Sequence, residues 1–188
     1  MEYDLLVIQQ AKPVDALRNI AAPRDLIEWV RKLPPEAAAR SAWVDATRAD
    51  WMPYLAAIRG IGNEAILRAV CECAVETAGP LEGSEATRVL DVLRAAATTG
   101  RDAFATAEAD LADLRLAIIA HGEEPVRPPW MFWAELVLEL ARASGRGNPL
   151  VGIALAMKMM ATRGRRSTRP AHTDLVARFR DKLTALAS

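Results

Sequence analysis

The residues of this chain with the best claim to chemistry sit close together: Cys71, Glu72, Cys73 and Glu76, with His121 and His172 far from them in sequence. On a helix, Cys71 and Cys73 point about 200° apart. They therefore do not pair with each other, and no Cys-x-x-Cys motif is present for metal or redox work. Buried, reduced thiols in a cytoplasmic protein are the expectation. Glu72-x-x-x-Glu76 puts two carboxylates on one helix face. Buried, such a pair supports acid/base chemistry. Arg68 falls on the same face, so an exposed ion-pair ladder is the preferred reading.

The histidines lack His-Glu-x-x-His spacing, and a metal would need them gathered with carboxylates from distant segments. His121 ends a helix and suits its last carbonyls; His172 lies in a first turn near Asp174. Ser84, Ser144 and Ser167 have no nucleophile motif around them. The Gly60-Ile61-Gly62-Asn63 turn precedes a helix N-terminus, which can hold an anion. It lacks the lysine, the Ser/Thr and the preceding strand of a phosphate loop. It reads as an interhelical turn, as does Gly145-x-Gly147-Asn148-Pro149. No catalytic, cofactor-binding or metal residue is assigned, and the chain is read as no enzyme. A helical enzyme or small-ligand protein stands as an alternative. Its mark would be an enclosed pocket holding Glu72, Glu76 or His121.

Two stretches suit binding better than catalysis. Lys158, Arg163, Arg165, Arg166 and Arg169 form a basic run with no acid from Lys158 through Thr173. Such a run meets an acidic protein partner or phosphates, with Arg165 and Arg166 at its centre. No aromatic interleaves it, so nucleic-acid association is the secondary reading. Trp130, Met131, Phe132 and Trp133 are four successive large apolar residues. One helix cannot turn all four to the same core. Trp130 and Trp133 are taken as an apolar anchor for a partner, against the alternative that they fill gaps between Ala-rich helices.

The elements that position these groups are helical throughout. The organising segment is Gly60 to Gly79, where Ala65, Ile66, Ala69, Val70, Cys73, Ala74 and Thr77 recur at three-and-four spacing. Leu67, Cys71 and Ala78 lie off that stripe, so the helix is apolar on more than one side and central. Asn63 is its expected N-cap, and Gly79-Pro80 ends it. Before it, Pro13, Pro23 and Pro34-Pro35 punctuate three short helices, and Trp51, Tyr54, Leu55 and Ile58 share a fourth. Residues 1–12 read as helix or irregular chain. Ser84 is the expected cap of a helix from Glu85 to Thr99, and the next helix runs from Asp102 or Thr106 to His121. Its exposed side is acidic at Glu108, Asp110 and Asp113, with Arg115 against them. Glu123 to Pro129 holds three prolines and forbids regular helix. Three further helices follow.

The expected fold is all-α, a compact array of about eight or nine mostly antiparallel helices joined by short turns. It forms a single domain over 1–188, or two subdomains, 1–122 and 130–188, joined by a strap at 123–129. The chain of 188 residues is 52% hydrophobic, and its 24 basic residues equal its 24 acidic ones. Zero formal charge exerts no long-range pull on nucleic acid or anionic membrane and favours self-association into a homo-oligomer. The first ten residues lack a signal peptide's basic start, and no apolar run reaches the roughly 18 residues that span a bilayer.

From Arg48 to Gly100 the chain resembles a group of bacterial all-helical immunity proteins of toxin systems. The resemblance lies in a Trp-containing helix, Ala49-Asp50-Trp51-Met52, then the turn Gly60-Ile61-Gly62. The A-x-C-x-C-A helix, Ala69 to Ala74, follows, and then a helix from Val89 that ends before Gly100. It covers under a third of the chain. It implies binding to a partner protein and supplies no catalytic or ligand residue.

Overall fold

The computed structural model describes residues 12–34, 38–122, 126–163 and 172–186. They form eleven α-helices and one 3-10 turn, with no strand among the described residues. The all-α expectation is therefore met, with more and shorter helices than eight or nine. Prolines and small loops cut the first half into brief pieces: α1 (Pro13–Asn19), α2 (Arg24–Arg31), α3 (Ala38–Asp45), the 3-10 turn (Ala49–Trp51) and α4 (Met52–Ile58). Pro13 and Pro53 both sit in first turns, where a missing N–H costs nothing. The longer helices follow: α5 (Asn63–Ala78), α6 (Ser84–Thr99), α8 (Glu108–His121), α9 (Pro129–Ser144), α10 (Leu150–Arg163) and α11 (His172–Leu186). A short α7 (Asp102–Thr106) precedes α8, so the segment read as one helix up to His121 is broken at Ala107.

Helix α5 is central, as its apolar circumference requires. It packs against α4, α6, α10 and α11, and Ile66, Ala69, Val70, Cys71, Cys73 and Ala74 are fully enclosed. Alanines at Ala69 and Ala74 let the neighbouring helices approach closely. The caps differ from expectation. Gly62, not Asn63, precedes α5, and Gly83 precedes α6 with Ser84 as its first residue. The Ser84 hydroxyl instead donates to Glu85 Oε2 at 2.9 Å. At the far end of α6, Gly100 adopts φ +64°, and a Cβ there would run into the Glu64 carboxylate. That carboxylate accepts from the Arg101 amide at 2.9 Å, which ties the start of α5 to the end of α6.

The helices after the Pro-rich segment do not stand apart. Helix α9 packs on α6 and α8; α10 packs on α9, α4, α5 and the 3-10 turn; α11 packs on α5. Asn148 adds a polar tie. Its amide donates to Ile20 O at 3.1 Å, and its oxygen accepts from the Leu150 amide at 3.2 Å where α10 begins. Helices from both sides of residues 123–129 thus share one hydrophobic core. No helix among the described residues is long and apolar enough to cross a membrane.

Candidate functional site

The carboxylate pair of α5 is engaged from outside its own helix. Lys182 of α11 reaches Glu72 at 3.5 Å and also contacts Glu76, and Arg178 lies 3.5 Å from Glu76. Arg68, the expected partner, turns away and donates to Ala97 O at the end of α6 at 3.0 Å. The expected ladder on one helix is therefore corrected to a bridge between α5 and α11. Its physical reason is that α11 brings two cations onto that face while the carbonyls ending α6 capture Arg68. The Glu76 hydrogen bond raises the Lys182 pKa, so the pair is a charged clamp. Burial pushes the Cys73 thiol up to about 12, and Cys71 higher still. A thiol so strongly protonated is inert as a nucleophile.

A second polar cluster joins the two ends of the described chain. Asp50 is the one buried charged residue among those described, at 8% exposure. Arg48 grips it with two hydrogen bonds, at 3.1 and 2.6 Å, and reaches Asp25 at 2.5 Å. The same guanidinium lies over the Trp51 ring at 4.6 Å, and Trp51 contacts Trp29. These bonds, foremost that to Asp50, raise the Arg48 pKa. The adjoining Ala49 amide donates to His172 Nδ1 at 3.2 Å, which docks the start of α11. Eight residues along α11 from His172, Arg180 completes the seam. Arg180 donates to Val44 O at 3.0 Å, to Ala46 O at 3.2 Å and to Trp43 O, and so satisfies carbonyls that α3 leaves open at its C-terminus. His121 Nδ1 lies 2.9 Å from Ala117 O within its own helix, as expected of a helix-end histidine. Among the described residues no three His, Cys, Asp or Glu gather as a metal site would require.

The expected anchor residues lie inside. Trp133 has no exposed surface and Trp130 only 7%; Met131 is enclosed too, and Phe132 is half-buried. The surface position expected for Trp130 and Trp133 is corrected on that ground. Helix α9 is covered by α6, α8 and α10, so consecutive residues on different faces are enclosed in the same core. Trp130 meets His121 edge-on at 5.6 Å. Arg165, Arg166 and Arg169 lie outside the described residues. Lys158, which opens the basic run, is exposed and in no ion pair among the described residues.

Exposed apolar surface gathers elsewhere, on α8 and α10. Leu116 and Ile119 are 65% and 72% exposed, Val151 and Leu155 47% and 44%. Between the two helices runs an open groove of about 520 Å³. Ile118 and Ile119 form one wall, Leu155 and Met159 the other, with Leu138 of α9 in the floor. The floor's carboxylates are already neutralised: Glu139 by Arg142 at 2.5 Å and Glu135 by Arg127. On α10, Val151, Leu155, Lys158 and Thr162 share the outward stripe at helical spacing.

The sequence reading missed this surface because it assigned α8 one apolar stripe, through Leu111, Leu114, Ala117 and Ile118. The signal was present in a second set, Ala109, Ala112, Leu116 and Ile119, at three-four-three spacing. Comparison of the chain with family models, curated proteins and solved structures finds no match.

Proposed function

We propose that this chain is a non-catalytic protein–protein interaction module of the immunity or scaffolding kind, and that it binds through the groove between α8 and α10. One observation carries the reading. A fold that encloses most of its described large apolar side chains leaves Ile119 and Leu155 open on a groove between α8 and α10, with Leu116 and Val151 exposed on the same two helices. Apolar surface gathered in this way marks an interaction site more often than scattered exposure does. The occupant that fits is an amphipathic segment of another protein with acidic residues beside its apolar face. Lys158 is exposed on α10 and in no ion pair among the described residues, and the basic run continues from it in sequence, whereas the groove's own carboxylates are paired. A cytoplasmic setting belongs to the same proposal and fits two thiols kept free and buried.

The test is affinity capture from the native cell, with wild type beside a Leu155→Asp, Lys158→Glu variant shown to fold. A stoichiometric partner held by wild type, lost by the variant and released by salt is the expected result. Equal capture by both proteins contradicts the groove as the binding face.

A further inference from the structure

The charges around the groove are not equally engaged. Among the described residues, the charged side chains that line it are Arg115, Glu135, Glu139 and Arg142. Glu139 and Arg142 bind each other, and Glu135 is held by Arg127. Arg115 is exposed and makes no ion pair among the described residues. The sequence around it gives the reason. One turn away on α8 lie Leu111, Ala112, Ile118 and Ile119, none of them acidic. Asp110 and Asp113 turn instead to Arg88 of α6, at 3.9 and 2.9 Å. Lys158 on α10 is in the same situation. Its neighbours one turn away are Ala154, Leu155, Ala161 and Thr162.

Two contacts set the levels of the walls. His121 at the end of α8 meets Trp130 at the start of α9. Gly152 near the start of α10 lies so close to Ala143 near the end of α9 that a Cβ there would come within 2.5 Å of the alanine methyl. Helices α8 and α10 thus both run antiparallel to α9 and parallel to each other. Counted along each wall from these contacts, about 9 Å of helix, Arg115 comes about level with Leu136 of α9, and Lys158 about level with Val137. The two cations share one height, one on each flanking helix. Leu155 lies about one turn to one side of that height, and Ile118 and Ile119 about one turn to the other.

We infer that the groove selects a helical segment in which one acidic residue is flanked, a turn away on each side of the same face, by large apolar residues. Arg115 takes the carboxylate, and Lys158 supports it from the other wall. The apolar residues cover Leu155 at one end and Ile118 with Ile119 at the other. The repeat of apolar, acidic and apolar levels matches the helical pitch of roughly 5.4 Å, for a helix laid along two parallel ones. The charge gives discrimination as well as attraction. An apolar side chain set against Arg115 would take the guanidinium from water without a partner, whereas a carboxylate forms a charge-assisted pair with it. This selectivity rests on the groove being the binding face, as proposed above, and adds which residue of the partner is recognised there.

The probe is a synthetic, helix-stabilised peptide with Leu, Glu and Leu one turn apart on an Ala/Gln background, titrated against the full chain by fluorescence anisotropy. A second peptide carries Lys in place of Glu. Wild type should bind the Glu peptide about tenfold more tightly than the Lys peptide. Arg115→Glu should abolish that preference, and Arg115→Glu with Lys158→Glu should reverse it. Leu155→Asp should weaken both peptides. All three positions are exposed, and unchanged melting curves would confirm that the variants fold. A wild type that binds neither peptide, or both equally, overturns the inference. So does a double variant that still prefers the Glu peptide. Equal binding that Leu155→Asp removes overturns the charge selection and keeps the groove as the binding face. Binding that Leu155→Asp leaves untouched lies outside the groove and overturns both.

Discussion

The side of the molecule closed by α11 and the side formed by α8 and α10 treat their side chains in opposite ways. Along α11, Arg178 and Lys182 grip Glu72 and Glu76, Arg180 satisfies the carbonyls ending α3, and His172 receives the Ala49 amide. Along α8 and α10, Glu108, Arg115 and Lys158 make no ion pair among the described residues, and Leu116, Ile119, Val151 and Leu155 lie open. The first side has converted residues that resemble chemistry into fasteners. The second holds apolar area that only another surface can take from water, at about 25 cal/mol per Å². Residue types alone drew attention to Cys71, Glu72, Cys73 and Glu76, and these belong to the closed side.

The contrast can be broken most forcefully in the core shared by both sides. Trp133→Ala should cost about 3–5 kcal/mol, because the indole is fully enclosed. Urea unfolding measures it, and a loss below about 1 kcal/mol would mean the site is not packed as described. Next comes the α11 seam. Arg180→Ala strands carbonyls of α3 and should cost about 1–3 kcal/mol. Arg180→Lys should recover only part, since all three contacts come from the terminal Nη2 and a lysine ammonium ends one bond short of it.

Alkaline pH tests the buried thiols. The unfolded chain ionises Cys73 near the ordinary thiol value of 9, while the folded chain holds its proton up to about 12. This contribution is fully present below pH 9 and is lost as pH rises towards 12, at up to about 1.4 kcal/mol per unit for each thiol. Unfolding free energy should fall less steeply above pH 9 in a Cys71→Ala, Cys73→Ala protein than in wild type. Equal slopes would mean that these thiols are not protected. Smallest of all, Leu155→Asp on the open side should change stability by no more than about 0.5 kcal/mol. A loss of 2 kcal/mol or more in a thermal melt would make Leu155 part of the core instead.

Much of the fold was legible in the sequence. Three-and-four spacing identified α5, α6, α9 and α11, and the excess of apolar residues around α5 placed it at the centre. Helix count was less legible, because the break at Ala107 carries no glycine or proline. The N-caps failed for a related reason: Gly62 and Gly83 precede Asn63 and Ser84, and backbone conformation decided between neighbours that each suit the position. The proposed binding surface was the least legible. One helix cannot turn Trp130, Met131, Phe132 and Trp133 to the same side, but a helix with three packed neighbours buries more than one face in the shared core. The stripe from Ala109 to Ile119 looked unremarkable because half of it is alanine. Asp50 drew no attention, since its role depends on Arg48, Asp25 and His172 meeting from three segments.

The division into a closed and an open side is tested most directly by hydrogen–deuterium exchange of the chain alone and with the protein it captures. The account predicts slower exchange in α8 and α10 on binding, around Leu116 to Ile119 and Val151 to Thr162, with α11 and α3 unchanged. Protection concentrated at α3 and α11, with α8 and α10 unaltered, would contradict it and move the binding face to the side described here as closed.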